Sequence, residues 1–258
     1  MITRNPAGAK KPVTIETVTA DSYRQAKDRL RDAIARLGEE GRFRLPSEAE
    51  LSTALGVSRA TIRSALQSLQ KEGRIRRLHG QGTFINRHAI GIGANLAEAS
   101  PFIDLLEQAG YRPGVRTLDQ RVVALDQELA ASLELPVGDR ALRIERVFEA
   151  NGEPAVHSVD YVPANLLGDH PEERDPRRST FEFVEVGAGL SVCYSVAEVR
   201  PVLPPRPVVT ALDVKRSHPV LRLRHTHIRA NELPVAVTVV HVNDDYLRFS
   251  VIRTYLDQ

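Results

Sequence analysis

Apolar residues follow a helical period in the first third of this 258-residue chain. Tyr23, Ala26, Leu30, Ile34 and Leu37 recur at spacings of three and four, which predicts a helix opened by Asp21 or Ser22 and ended by Gly38 and Gly41. Ser47 followed by Glu50 is a capping box, predicting a short helix that buries Leu51, Ala54 and Leu55 and stops at Gly56. Ser58 then caps a further helix, in which Ile62, Ala65, Leu66 and Leu69 form an inward stripe and Gly73 marks the end. That stripe assigns Arg59, Thr61 and Arg63 to the opposite face. Two short helices joined by a glycine-containing turn predict a helix-turn-helix. Ile75–Leu78 and Thr83–Ile85 flank His79-Gly80-Gln81-Gly82, which predicts a hairpin with Arg77, His79 and Gly80 at its tip.

Beyond residue 86 the pattern changes. Residues 87–94 read as a linker, and Pro101–Gly110 as a helix with Phe102, Leu105, Leu106 and Ala109 facing inward. Val122–Leu125 reads as a short strand, and Asp126 caps a helix to about Leu133. Strands are predicted over 141–149 and 155–162, joined by the hairpin signal Asn151-Gly152, then over 191–200, 220–229, 234–242 and 249–255. The fold class expected is α+β: an N-terminal winged helix-turn-helix domain and a C-terminal domain built on a mainly antiparallel sheet. The corresponding division is an arm at 1–20, a head at 21–86, the linker at 87–94 and a second domain at 95–258.

The charge divides with the pattern. The net charge is +2, but residues 21–87 carry +6 and residues 88–258 carry −6. A basic head on an acidic body suggests a polyanion-binding module joined to something else. The longest apolar run, Leu233–Val242, is far short of the ~18 residues of a membrane helix. The first twenty residues lack the apolar core of a signal peptide, so a cytoplasmic protein with no membrane partner is expected. One cysteine, Cys193, excludes an internal disulfide and a multi-cysteine metal site. It is expected to be a small buried hydrophobe. His225 and His227 alternate onto one strand face, but no acid or cysteine spacing completes a metal site, so neither cofactor nor metal is expected.

Residues 45–85 resemble the winged helix-turn-helix of the GntR family of bacterial transcription regulators. The matching pieces are Leu45-Pro46-Ser47-Glu48, Leu55-Gly56-Val57-Ser58-Arg59, Glu72-Gly73 and Gly80-Gln81-Gly82-Thr83-Phe84, in family order. The resemblance implies DNA contacts from Arg59, Thr61, Arg63, His79 and Gly80. Ser47, Ser58 and Arg77, at the helix starts and the wing, complete the candidate DNA-binding set. Many members carry a cation where this chain has Ala49. The strand-rich second half is similar to the UTRA effector-binding domain of the HutC subfamily, whose fold resembles chorismate lyase. Gly110 with Pro113-Gly114, Glu128 to Leu135 with Gly138, Arg146, Gly152-Glu153-Pro154 and Asp245 near Phe249 carry that resemblance.

Arg146 draws notice on pattern alone, because it shares a strand face with Leu142, Ile144 and Phe148. A buried guanidinium needs a partner: either a neighbouring carboxylate such as Asp160, or a carboxylate or phosphate ligand that it clamps. The resemblance implies the clamp. Sugar-phosphate-binding relatives have charged residues where this chain has Phe148, Ser158 and Asn243. A smaller, less charged or more aromatic effector suits Phe148, His157, Tyr161 and Tyr194, while Ser100 and Phe102 match the segment that closes over the effector; with Arg146, Ser158, Asp160 and Asn243 they form the candidate effector site.

The expectation is therefore a ligand-responsive bacterial transcription regulator and not an enzyme. It is read as a homodimer on a near-palindromic duplex operator, a repressor by resemblance, released by a small-molecule effector. The alternative is an enzyme, or an inactive lyase-fold protein, with an accessory DNA-binding head. A purely architectural DNA binder leaves the acidic domain unexplained.

Overall fold

The computed structural model describes residues 20–90, 94–97, 100–177 and 179–253. The arm at 1–20, apart from Ala20, lies outside them, as do positions 91–93 of the linker and the end of the last predicted strand. The chain forms two compact units that divide at Ile92/Gly93.

The first unit contains α1 (Ala20–Glu39), α2 (Glu48–Leu55), α3 (Arg59–Lys71), β1 (Ile75–Leu78) and β2 (Gly82–Ile85). The start and stop signals of α2 work as chemistry predicts, whereas α1 begins at Ala20, ahead of the expected Asp21 or Ser22 cap, and continues through Gly38. Ser47 and Glu50 close a reciprocal capping box on α2, and Gly56 ends that helix at φ +66°, in left-handed space where a glycine costs nothing. Leu30 and Ile34 from α1, Leu51 from α2, Ile62, Ala65, Leu66 and Leu69 from α3, and Ile75 and Ile85 from the wing form one core. Beneath them Glu72 gathers Lys27 at 2.5 Å and Arg31 at 3.4 Å, with Arg74 at 3.9 Å and the Ser68 hydroxyl at 2.8 Å. Burial works against ionisation of that carboxyl, but Lys27, Ser68 and Arg31 hold its pKa below the ordinary 4.5. Residues 87–89 form a 3-10 turn with Ala89 buried, and Ile90 packs on the head core, so the head extends four residues into the segment read as linker.

The second unit is a six-stranded antiparallel sheet in the order β4-β5-β6-β9-β8-β7. Its strands are β4 (Pro113–Ala124), β5 (Arg140–Ala150), β6 (Glu153–Pro163), β7 (Val192–Val202), β8 (Val220–Arg229) and β9 (Pro234–Val242). Two short strands, β3 (Ala94–Asn95) and β10 (Phe249–Ser250), pair in parallel beside it. β10 is much shorter than the strand predicted over 249–255. Asn151 and Gly152 both have positive φ, +55° and +93°, the conformation of a two-residue hairpin turn.

Helices α4 (Phe102–Gln108) and α6 (Thr180–Ala188) cover one face of the sheet, here called the front. Helices α5 (Gln127–Leu133) and α7 (Arg206–Leu212) cover the back. On the front, Leu105 and Leu106 pack on Phe148, Val156, Leu223 and Val240, whereas Phe183 and Val184 pack on Leu142, Ile144 and Val162. A band of polar side chains separates these two apolar clusters. The pattern did not reveal α6, α7 or most of β4, and Ala109 is exposed instead of inward.

Glu72 gives a testable consequence. Its folded pKa is lowered, so its stabilisation is present above the unfolded value near 4.5 and is lost as pH falls below it. Glu72→Gln should destabilise the head at pH 7 by about 1.5–3 kcal/mol, the range for hydrogen bonds to a charged group, and should flatten that acid dependence. Hydrogen exchange of the α1 and α3 amides measures both; unchanged protection at pH 7 would contradict the role.

Candidate DNA-binding face and effector site

The turn between α2 and α3 sets what α3 shows to solvent. The Ser52 hydroxyl donates to the Val57 carbonyl at 2.6 Å, and Ser58 Oγ accepts from the Thr61 amide at 3.1 Å. Arg59 and Arg63 are exposed on the front of α3, about 40° apart around an axis that turns 100° per residue. Thr61 lies half a turn away. It is only 3 % exposed, and its hydroxyl is 2.8 Å from Ser58 Oγ. This corrects the expectation that Thr61 shares the face of the two arginines; it closes the cap. Ser47 and Ser58 are likewise engaged as caps.

Arg63 does not stand alone. Its Nε and Nη2 donate to Glu48 Oε2 at 3.2 and 3.1 Å, while Arg77 Nη2 donates to Glu48 Oε1 at 2.6 Å. Burial opposes ionisation of Glu48, but Arg63 and Arg77 lower its pKa. His79 and Gly80 sit exposed at the wing tip, with Gly80 at φ +72°. Arg44 is a further cation that the sequence pattern does not mark. It donates to the Gln81 carbonyl at 2.9 Å and lies over the Phe84 ring, adding a cation beside the wing. It immediately precedes Leu45-Pro46, where the chain bridges to β2 at Phe84.

In the second unit the polar band runs across β5, β6, β9, β8 and β7. Arg146 is 2 % exposed and Asp160 0 %; Arg146 Nη2 donates to Asp160 Oδ2 at 2.5 Å. Of the two partners open to Arg146, the structure shows the internal carboxylate. Asp160 Oδ1 also accepts from Thr180 at 2.5 Å and Thr238 at 2.7 Å, and Oδ2 from Ser158 at 3.3 Å. These contacts depress its carboxyl pKa against the effect of burial. A carboxylate can only accept, which fixes every proton in the chain beyond it. Thr238 donates to Asp160, so His227 Nε2 donates to Thr238 at 2.9 Å, and the Ser195 hydroxyl donates to His227 Nδ1 at 2.7 Å. His225 stacks on His227 with ring centroids 5.8 Å apart. Burial and His225 push His227 down to about 4 against the pull of Asp160, so its ring is neutral at pH 7.

The structure brings Phe102, Phe148 and Arg146 together, with 5.5 Å between the two rings and 5.6 Å from guanidinium to Phe148. Ser158 and Asp160 share that front face, and half-buried Ser100 precedes α4. It does not bring the other candidates there. His157 and Tyr161 alternate with Ser158 and Asp160 and so lie on the back, where His157 Nε2 is 2.7 Å from Glu145. Tyr194 is 42 % exposed on edge strand β7, and its hydroxyl donates to Glu232 at 2.5 Å. Asn243 closes the turn after β9, accepting from the Asp245 amide at 3.1 Å and lying 3.2 Å from His218 Nε2. Cys193 is exposed, not buried. Thr180, Thr238, His227 and Ser195 also belong to the band; the alternation of His225 and His227 on β8 and the polar Thr238 inside the apolar run of β9 are the legible signs for two of them. Among the described residues, no group of three or more His, Cys, Asp or Glu side chains is placed to hold a metal ion.

Comparison with known proteins bears on both units. Residues 22–85 match the model of the bacterial regulatory proteins of the gntR family, and residues 108–248, more than half the chain, match the UTRA domain. The chain belongs to the GntR family, in its UTRA-bearing, HutC-type branch. It is 28 % identical over 204 residues to the transcriptional repressor NagR of Bacillus subtilis, covering 79 % of this chain and 83 % of that protein. It is 27 % identical over 198 residues to the histidine utilization repressor of Pseudomonas putida, covering 77 % and 78 %. The fold resembles the crystal structure of the possible transcriptional regulator YydK of Bacillus subtilis, with TM-score 0.68 and 18 % identity over 90 % of this chain and 99 % of that one. PhnF from Mycobacterium smegmatis has TM-score 0.58 and 21 % identity, over 87 % and 98 %. This GntR-type protein is thus a ligand-responsive transcription regulator, with a DNA-binding head and a small-molecule-binding UTRA domain.

The Arg146–Asp160 pair predicts a characteristic mutational pattern. Arg146→Ala should cost about 3–5 kcal/mol, because it leaves a buried carboxylate without its counter-ion. The double variant Arg146→Ala/Asp160→Ala should recover part of that loss. Urea unfolding followed by far-ultraviolet circular dichroism measures it; a single variant as stable as the wild type would contradict the pairing.

Proposed function

We propose that the protein is a repressor that binds a near-palindromic duplex operator as a homodimer and leaves it when a small effector occupies the front of the UTRA sheet. The observation that carries the DNA reading is the outward placement of Arg59 and Arg63 on an α3 whose inner face is filled by leucine and isoleucine. Two copies would set two such helices in successive major grooves. Edge strand β7 supports pairing with a second copy, since it exposes Tyr194, Val196 and Val199, with Leu203 just beyond. Action on DNA in the cytoplasm accords with described helices that are all too short or too polar to cross a membrane. The band is read as a binding surface and not a catalytic one, in keeping with the regulators of the family.

The effector reading rests on the front band. Phe102 and Phe148 supply an aromatic end, and Ser100 precedes the helix that covers it. Asp160 already neutralises Arg146, and the neutral ring of His227 adds no charge. A neutral or singly charged effector suits that balance better than a phosphate dianion.

Arg59→Ala and Arg63→Ala should each lower operator affinity by about 1–3 kcal/mol if the side chain reads a base. Fluorescence anisotropy with a duplex enriched from a random pool by the wild-type chain provides the measurement. Operator affinity unchanged in both variants would contradict the assignment of α3.

A further inference from the structure

Glu48 is an anion paired with two arginines of the head that is proposed above to meet a polyanion. It opens α2, but the cap there belongs to Ser47 and Glu50, whose reciprocal hydrogen bonds account for the other nearby acid. Glu48 instead joins three elements. One oxygen takes Arg63 of α3 and the other takes Arg77 of β1, while the residue itself belongs to α2. Among the described residues, no carboxylate pairs in this way with Arg59. The two arginines of the α3 front therefore differ: Arg59 extends into solvent, and Arg63 is held.

The geometry of that hold matters. Arg63 gives Glu48 its Nε–H and one Nη2–H, the side of the guanidinium nearest the chain. The outer edge keeps the Nη1 protons and the second Nη2 proton. Two parallel donors on that edge form the fork that matches guanine O6 and N7. A held fork loses little freedom on binding, whereas a released arginine reaches any phosphate. A carboxylate at this place also repels duplex in general, which lowers affinity for every sequence alike.

We propose that Glu48 is a positioning and specificity-determining residue. It fixes Arg63 as a base reader and Arg77 as the wing's anchor, and it suppresses binding to unrelated duplex. This rests on the proposed DNA reading of the head and goes beyond it by assigning discrimination to an acid.

The test compares affinity for a duplex enriched from a random pool by the wild-type chain with affinity for a scrambled duplex, over a salt series. Glu48→Gln keeps the shape and removes the charge. It should raise affinity for the scrambled duplex and steepen its logarithmic salt dependence by about one to two, as freed Arg63 and Arg77 each reach a phosphate. The ratio of enriched to scrambled affinity should fall at least about tenfold, within the span that one bidentate base contact commands. Glu48→Asp keeps the charge but is one methylene too short to hold both arginines; it should lower the ratio without strengthening scrambled binding. In an Arg63→Ala background, Glu48→Gln should change the ratio little, because its effect passes through Arg63. An unchanged ratio in Glu48→Gln, or an undiminished loss in the Arg63→Ala background, overturns the role of Glu48 alone. A wild-type chain that enriches no sequence overturns the DNA reading of the head and this inference with it.

Discussion

The turn from α2 to α3 decides which side of α3 meets the core. Gly56 in left-handed space and the Ser58 cap start α3 at one rotational setting. Ile62, Leu66 and Leu69 then point into the head, and Arg59 and Arg63 point out of it. A start shifted by one residue would rotate the helix by 100° and trade guanidinium for leucine at the surface. The placement of Arg59 and Arg63 on the exposed side of α3, with Glu48 beside Arg63, follows from that setting.

Within the UTRA unit the governing constraint is the cost of an unpaired charge in an apolar interior. Arg146 lies between two clusters of leucine, isoleucine, valine and phenylalanine, and Asp160 on the neighbouring strand answers it. Because the carboxylate accepts at every position, it orders Thr238, His227 and Ser195 behind it. The band is thus a connected polar layer spanning five strands, and an effector resting on it would meet groups whose protons are already assigned.

Much of this was legible before the structure. The Ser47–Glu50 capping box, the α3 stripe and the wing glycines carry strong local chemistry, and the Asn151-Gly152 turn locates its hairpin to the residue. Strand β5 alternates clearly, so Arg146 can be placed on an apolar face with Asp160 as a possible answer. The misses have physical causes. The inward stripe leaves Thr61 on the opposite face with Arg59 and Arg63, but at 100° per residue it lies about half a turn from both. His157 and Tyr161 were grouped with Ser158 and Asp160 although strand neighbours face opposite ways. Helices α6 and α7 have nine and seven residues, too short for a clear period, although Ser179 and Glu182 form a capping box and Pro205 and Pro207 flank the start of α7. Tyr194 and Cys193 lie on an edge strand, where exposure depends on sheet order and cannot be read from alternation.

Hydrogen–deuterium exchange of the full chain, with and without a duplex enriched by it, tests the central claim most directly. The account predicts slowed exchange at the first turn of α3, from Arg59 onward, and at the wing turn from His79 to Gln81, with the sheet amides of β5 and β6 unchanged. Slowing confined to the UTRA sheet, with α3 and the wing unaffected, would contradict it.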